Sequence, residues 1–233
     1  MEFCTFKSAP AIAAKPLGVS FKVEPKQTRM SFEILYSIPI SGSYPEKHFG
    51  DSFKRSLWVK FVTKDYTEWI GCFGKGQNNF DKVLVNATET YALVISGGQG
   101  YFIDVDTRDQ KLIIADYPQI DSAIHYKKSD EFLFSTFLTI CIIDTKFNLL
   151  EIEPNFGVDG IYLLEEQDEK VIGQLYSYTF SIDYNVGFEI DMSTRELKKD
   201  ITRLYDYNTM ERIYEKTKQN RDGIFDKIKK LFT

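Results

Sequence analysis

The side chains best suited to acid–base and nucleophilic chemistry are scarce in this chain. His48 and His125 are the only histidines, and Cys4, Cys72 and Cys141 the only cysteines. Two histidines cannot build a His-rich zinc centre, and the cysteines lack the CxxC spacing of a zinc knuckle. A Cys–His nucleophile pair would have to join one of these cysteines to one of these histidines. Cys141 sits in TICII, where a small buried hydrophobe is the better reading. His48 falls in a polar loop, and His125, between SAI and YKK, reads as a surface or edge residue.

Carboxylates are plentiful but poorly arranged for catalysis. Glu151 and Glu153 would share one face of a strand, and a glycosidase needs a second carboxylate opposite such a pair. Asp104 and Glu151 are the residues a hydrolase would use, the lowest-ranked reading. Asp104, Asp106 and Asp109 in DVDTRDQ suggest calcium, which takes six to eight oxygen ligands. Their basic neighbours, and the missing Glu at the twelfth position of a calcium loop, point instead to a solvated turn. The expectation is therefore no metal and no cofactor.

Glycine-rich stretches raise the question of phosphate binding. SGGQG, at 96–100, leads straight into the strand pattern YFIDVD, so no helix N-terminus follows to receive a phosphate. GCFGKGQNNF, at 71–80, also fits neither nucleotide spacing. Both read as turns. Asn86-Ala87-Thr88 matches a glycosylation sequon, but without an export signal it reads as a chance tripeptide.

These residues need a scaffold, and composition favours a β-rich one. The 233 residues include 19 Phe and 14 Tyr, side chains that favour strands and packed positions. That length allows one well-buried core with room for an appended layer. The net charge of −5 argues against a nucleic-acid partner. It is uneven, because 196–233 carry 10 basic and 7 acidic side chains within chain totals of 29 and 34. The opening MEFCTFKSAPAIAAKP lacks the apolar run of a secretory signal, and no segment is long and apolar enough to span a bilayer. Together with the cysteine usage, this points to the reducing cytoplasm and no membrane contact.

Along the chain, 3–26 reads as an extended, proline-interrupted arm with one edge strand at GVSFKV. MSFEILYSI is a strand, and SGSYPEKHFGDS a turn-rich loop. SLWVKFVTKDYTEWIGCFGKG gives two strands with Trp58 and Trp69 facing each other or at the core edge. KVLVNATETYALVISGG gives another pair, meeting near 86–90. In YFIDVD, Tyr101, Ile103 and Val105 share one face, while Phe102, Asp104 and Asp106 share the other. KLIIADY follows as a strand. EFLFSTFLTICIIDTKFNLLEI reads as two strands broken at DTKFN, and DGIYLLEEQDEKVIGQLYSYT as a hairpin.

GFEIDMSTRELKKD echoes GYFIDVDTRDQKLI, with Gly100 and Gly187 separated by 87 residues. The pair suggests equivalent positions in a sheet-built fold. From Glu196 the periodicity changes: Leu197, Ile201, Leu204 and Tyr205 fit a helical stripe, followed by Met210, Ile213, Tyr214 and Thr217. Two or three C-terminal helices are expected, the last with Lys227, Lys229 and Lys230 beside its apolar stripe.

GGQGYFIDVDTRDQKLIIADY, DGIYLLEEQDEKVIGQLYS and GFEIDMSTRELKK together resemble a loose pattern of poorly characterised bacterial β-rich proteins. The matching elements are 98–106, Asp159-Gly160, Val171-Ile172-Gly173 and 188–194, within a span of 83–200. Some members look like fragments of β-propellers, and others like immunity partners of bacterial toxins. The resemblance carries structural glycines and strand boundaries but no catalytic residue. Four or more four-stranded blades would consume most of the length. The expected fold is therefore mainly β, a curved antiparallel sheet or partly open barrel over 1–195, with a helical appendage over 196–233.

The expected function is a non-catalytic protein-binding module, with an immunity-type partner of a bacterial toxin as its narrower form. The alternative is a small-molecule binder with Trp58, Trp69, Tyr91 and Tyr101 on a concave face. Lys227 and Lys230 are candidate partner contacts in the tail.

Overall fold

The computed structural model describes residues 32–51, 55–114, 119–154, 158–177 and 184–206. Sixteen strands among them form four separate four-stranded sheets. Sheet 1 contains β1 (Phe32–Leu35), β2 (Glu46–Phe49), β3 (Ser56–Val62) and β4 (Glu68–Gly74), in the order β1-β3-β4-β2. Its pairs are antiparallel except β2, which runs parallel to β4. The other sheets are antiparallel meanders in chain order. Sheet 2 holds β5 (Lys82–Val85), β6 (Tyr91–Ser96), β7 (Gln99–Asp104) and β8 (Gln110–Ile114). Sheet 3 holds β9 (Ser122–Tyr126), β10 (Glu131–Ser135), β11 (Ile140–Ile143) and β12 (Leu149–Ile152). Sheet 4 holds β13 (Gly160–Gln167), β14 (Lys170–Tyr176), β15 (Tyr184–Asp191) and β16 (Glu196–Asp206).

The period-two alternation of each strand decides which neighbour it faces. Ala92 and Val94 on β6 join Phe61, Trp69, Phe73, Tyr101 and Ile103 in a core between sheets 1 and 2. Leu93 and Ile95, the alternate residues, pack with Phe102, Phe132, Phe134 and Cys141 between sheets 2 and 3. Leu133, Ile140 and Ile142 turn the other way, toward Ile161, Val171, Phe188 and Ile190 of sheet 4. The sheets therefore stack face to face in chain order, the building pattern of β-propellers. The expectation of one curved sheet or open barrel is corrected by this division into four sheets.

The helical tail is also corrected. Glu196–Asp206 is strand β16, hydrogen-bonded along β15, so the boundary expected at 195/196 falls in a hairpin within one sheet. The register explains the false helical spacing. Gly187 faces Asp200 while Val186 faces Leu204, so residues 201–203 bulge out and break the alternation of apolar positions. No helix occurs among the described residues. Lys227, Lys229, Lys230 and the remaining tail lie outside them, as does the arm with GVSFKV. Two smaller corrections concern strands: β2 lies inside the expected loop at 41–52, and 131–152 forms three strands rather than two.

SGGQG is a two-residue hairpin turn. Ser96 pairs with Gln99, and Gly97 and Gly98 have φ of 56° and 81°, the left-handed values that such a turn requires. The turn also anchors its neighbours. The Asn78 amide donates to the Gly97 carbonyl at 3.0 Å and the Gly98 amide to Phe80 at 2.9 Å, while the Ile120 amide donates to Gly98 at 2.8 Å. Both connections that enter and leave sheet 2 are thus tied to one glycine pair.

The 87-residue echo marks the third strand of sheets 2 and 4, two sheets apart. In each, an aspartate caps the turn that follows. Asp104 accepts from the Asp106 and Thr107 amides at 3.1 and 2.9 Å, and Asp191 from the Ser193 and Thr194 amides at 2.9 and 3.1 Å. Sheet 3 holds a third copy, in which Asp144 accepts from the Lys146 and Asn148 amides at 2.8 and 2.9 Å.

Each turn contains a residue at positive φ, namely Arg108, Phe147 or Arg195, whose side chain reaches back to the preceding sheet. Arg108 lies over the Trp69 ring at 5.8 Å, and Phe147 meets Tyr91 edge-on at 5.2 Å. Arg195 donates to Glu131 at 2.6 Å.

Candidate interaction surface

The residues expected to form one concave aromatic face are instead divided among different environments. Trp69 is fully buried between sheets 1 and 2, its indole N–H donating to the Val105 carbonyl at 3.0 Å. Tyr101 shares that core and donates its hydroxyl to the Gly74 carbonyl at 2.8 Å. Tyr91 packs on Phe102 and Phe147 against the core between sheets 2 and 3. Only Trp58 lies on the opposite, outer side of sheet 1, half-buried and edge-on to His48 at 6.0 Å.

Several titratable groups considered for chemistry make contacts within the scaffold. His125 bonds Asp130 at 2.8 Å through Nε2, and Asp130 also accepts from the Ala87 amide at 2.6 Å and from Asn86 at 3.2 Å. Burial alone would push the Asp130 carboxyl up, but the Ala87 amide, His125 and Asn86 together hold it below its usual range. Asp130 is therefore ionised at neutral pH, and His125 donates from Nε2. This pair ties sheet 3 to the β5–β6 turn of sheet 2. Asn86 itself is buried, with Nδ2 donating to Thr88 and Asp130, so the sequon asparagine is inaccessible for modification.

Burial pushes the Cys141 thiol up to about 12, which leaves no thiolate for nucleophilic attack at neutral pH. Cys72 is also buried and is not in a disulfide. Burial pushes the Lys82 amine down, and Nζ donates to the Ala123 carbonyl at 2.6 Å, joining sheets 2 and 3. Asp104 is occupied by its turn and lies 3.5 Å from Lys111. Glu151, on β12, pairs in register with Cys141. Among the described residues, no group of three or more His, Cys, Asp or Glu side chains is placed to hold a metal. Among them, too, no helix is long and apolar enough to cross a membrane.

A different surface emerges on sheet 1. Register places Trp58 and His48 on either side of Cys72, and Glu33, Lys60, Ile70 and Glu46 in the adjacent row. Lys60 bonds Glu68 at 2.8 Å and lies 5.0 Å from the Tyr44 ring centroid. That bond to Glu68 raises the Lys60 pKa, with burial opposing it. Beyond β1 the chain exposes Tyr36, Ile38 and Ile40, at 98%, 76% and 82% of their maximal surface. An open groove of about 580 Å³ runs beside them, lined by Glu33, Ile34, Leu35, Tyr36, Ile40 and Tyr44 among others. Sequence reading singled out Trp58 but placed residues 36–38 at the end of the strand MSFEILYSI, which stops at Leu35. The signal of this segment was YSIPI, an apolar run in which Pro39 prevents regular strand pairing.

No family model matches the chain, and no curated protein matches it. Solved structures give loose likenesses. Hydrazine synthase of Kuenenia stuttgartiensis is 13% identical over 54% of this chain and 35% of its own, with a TM-score of 0.39. PorZ, a surface component of the type-IX secretion system of Porphyromonas gingivalis, is 10% identical over 62% and 20%, with a TM-score of 0.37. Virginiamycin B lyase of Staphylococcus aureus is 9% identical over 62% and 51%, with a TM-score of 0.37. This chain thus spans 20% to 51% of those proteins. These are low-identity likenesses to diverse β-rich bacterial proteins, the loose resemblance expected from sequence, and they assign neither family nor activity.

Proposed function

We propose that this protein is a non-catalytic protein-binding module that docks its partner on the outer side of sheet 1 and the segment 36–40. The observation that carries this reading is the exposure of Tyr36, Ile38 and Ile40 beside an open groove. Large apolar side chains grouped in this way mark interaction sites, and Tyr and Trp are favoured anchors. Lys60, Glu68 and His48 supply a polar surround to Trp58 and Tyr44. An open groove suits a protein segment better than a small molecule, which needs most of its surface enclosed. The small-molecule alternative also loses support because Trp69 and Tyr101 are committed to the core between sheets 1 and 2. A reducing cytoplasm suits Cys72 and Cys141, which are buried and not in a disulfide. An immunity-type role is the narrower form of this proposal, and no contact in the fold singles it out.

The test is quantitative affinity capture from native lysate with the tagged full chain and a Tyr36→Ser, Ile38→Ser, Ile40→Ser variant. A stoichiometric partner retained by the natural chain and lost by the folded variant is expected. Equal recovery by both forms, or recovery of no partner by either, would overturn the proposal.

A further inference from the structure

The same site also indicates how a partner would engage it, and the inference here rests on the protein-binding reading above. Among the described residues β1 pairs only with β3, so its opposite edge presents backbone N–H and C=O groups without a neighbouring strand. Such an edge is a template for an added strand. β1 also contributes to the groove, which is lined by Glu33, Ile34, Leu35, Tyr36 and Ile40 among others.

Charge decides between occupants. Lys60 faces Glu33 across the β1–β3 pair, yet its ammonium is bonded to Glu68 at 2.8 Å, and Glu33 makes no ion pair among the described residues. A second copy of this chain, paired antiparallel across the same edge, would bring the two Glu33 side chains opposite or diagonal to each other. Like charges in those positions oppose pairing. A partner strand with a basic residue opposite Glu33 satisfies both the carboxylate and the open backbone edge, while its alternate residues enter the apolar groove. We infer that β1 accepts an extended segment of a partner protein in which basic and apolar residues alternate.

The probe is a fluorescently labelled, end-blocked nine-residue peptide of alternating valine and lysine, compared with the same peptide carrying glutamate in place of lysine. Fluorescence anisotropy with the full chain is paired with amide hydrogen exchange at residues 32–35. The lysine peptide is expected to bind, to weaken with salt and to slow exchange across 32–35. Glu33→Lys, an exposed change that leaves the core intact, should weaken it about fivefold and favour the glutamate peptide. N-methylation of alternate amides should abolish binding, because the added strand then loses its ladder hydrogen bonds.

Failure of the lysine peptide to bind, equal binding of both peptides, or unchanged exchange at 32–35 would overturn strand addition. If native-lysate capture still depends on Tyr36, Ile38 and Ile40 in that case, the protein-binding proposal survives without it. If that dependence is absent as well, both fall.

Discussion

Sheet 2 buries Ala92 and Val94 on one face and Leu93 and Ile95 on the other. Sheet 1 packs Phe61, Trp69 and Phe73 toward sheet 2 but carries Trp58, His48, Lys60 and Glu46 on its other face. The two sheets use the same alternation for different ends: two apolar faces join neighbours, while one apolar and one mixed face leaves a surface suited to recognition. The difference also explains why aromatic content alone misled. Trp69 and Trp58 lie on strands paired in one sheet, yet one fills a core and the other lies half-buried on the outer face.

The largest expected effect comes from breaking a two-faced sheet. Phe102→Ala removes a fully buried ring between sheets 2 and 3, at a cost of about 4 kcal/mol. Trp58→Ala should cost less, about 2 kcal/mol, because its ring keeps some contact with water in the folded protein. Urea unfolding of both variants measures the contrast, and equal losses would erase the proposed division between interior and outer faces.

The next largest effect separates turns that anchor the sheets from turns that do not. Gly98→Ala would place a Cβ 2.6 Å from the Asn78 amide, which is fixed by bonds to Ile120, Asp121 and Phe80. With φ of 81° as well, it should lose about 3 kcal/mol. Gly42→Ala shares nearly the same φ, 83°, but meets nothing within 4 Å, so about 1 kcal/mol is expected. Thermal unfolding of the pair isolates the clash from the backbone strain.

The reach-back positions should also differ. Arg195→Ala leaves Glu131 largely buried without its cationic partner and should cost about 2 kcal/mol. Arg108→Ala loses a contact with the Trp69 ring, worth about 0.5 kcal/mol. Denaturant midpoints of the two variants report this difference.

A smaller effect concerns acid. The Ser193 hydroxyl and the Thr194 and Ser193 amides lower the Asp191 carboxyl to about 2, below its unfolded value of about 3.9. A carboxyl depressed in the folded state stabilises the fold above the unfolded value, and that contribution disappears as pH falls from about 4 through about 2. The stability advantage of the natural chain over Asp191→Asn should therefore shrink across that interval. An unchanged difference in urea midpoints from pH 6 to pH 2 would contradict it.

The smallest stability effect belongs to the proposed docking surface. The combined serine substitutions at 36, 38 and 40 should shift stability by no more than about 0.5 kcal/mol while removing partner capture. A large loss of stability would move this segment from the recognition side of the comparison to the structural side.

Much of the strand content was legible because period-two patterns such as YFIDVD are locally complete. Tyr101, Ile103 and Val105 do share one core while Phe102 faces another. The four-sheet repeat was less legible because its middle copy has diverged. Where sheets 2 and 4 have Gly100 and Gly187, sheet 3 has Ile140, and its turn reads DTKFN without Thr-Arg. The Asp144 cap keeps the geometry that the sequence pattern had lost.

A second signal passed unnoticed: Phe80-Asp81, Ile120-Asp121 and Val158-Asp159 immediately precede the first strands of sheets 2, 3 and 4. The helix expected from Glu196 failed for a local reason, since the bulge at 201–203 spaces Leu197, Ile201 and Leu204 as a helix would. The proposed docking segment at 36–40 was hidden because its reading depends on exposure, which Tyr, Ile and Pro do not reveal in sequence.

The most direct test of the recognition surface is amide hydrogen exchange of the full chain with and without its captured partner. The account expects slowed exchange across 32–48, with the capped turns at 105–109 and 192–195 unchanged. Protection confined to those turns, with 32–48 unaffected, would contradict it and place recognition at the opposite kind of surface.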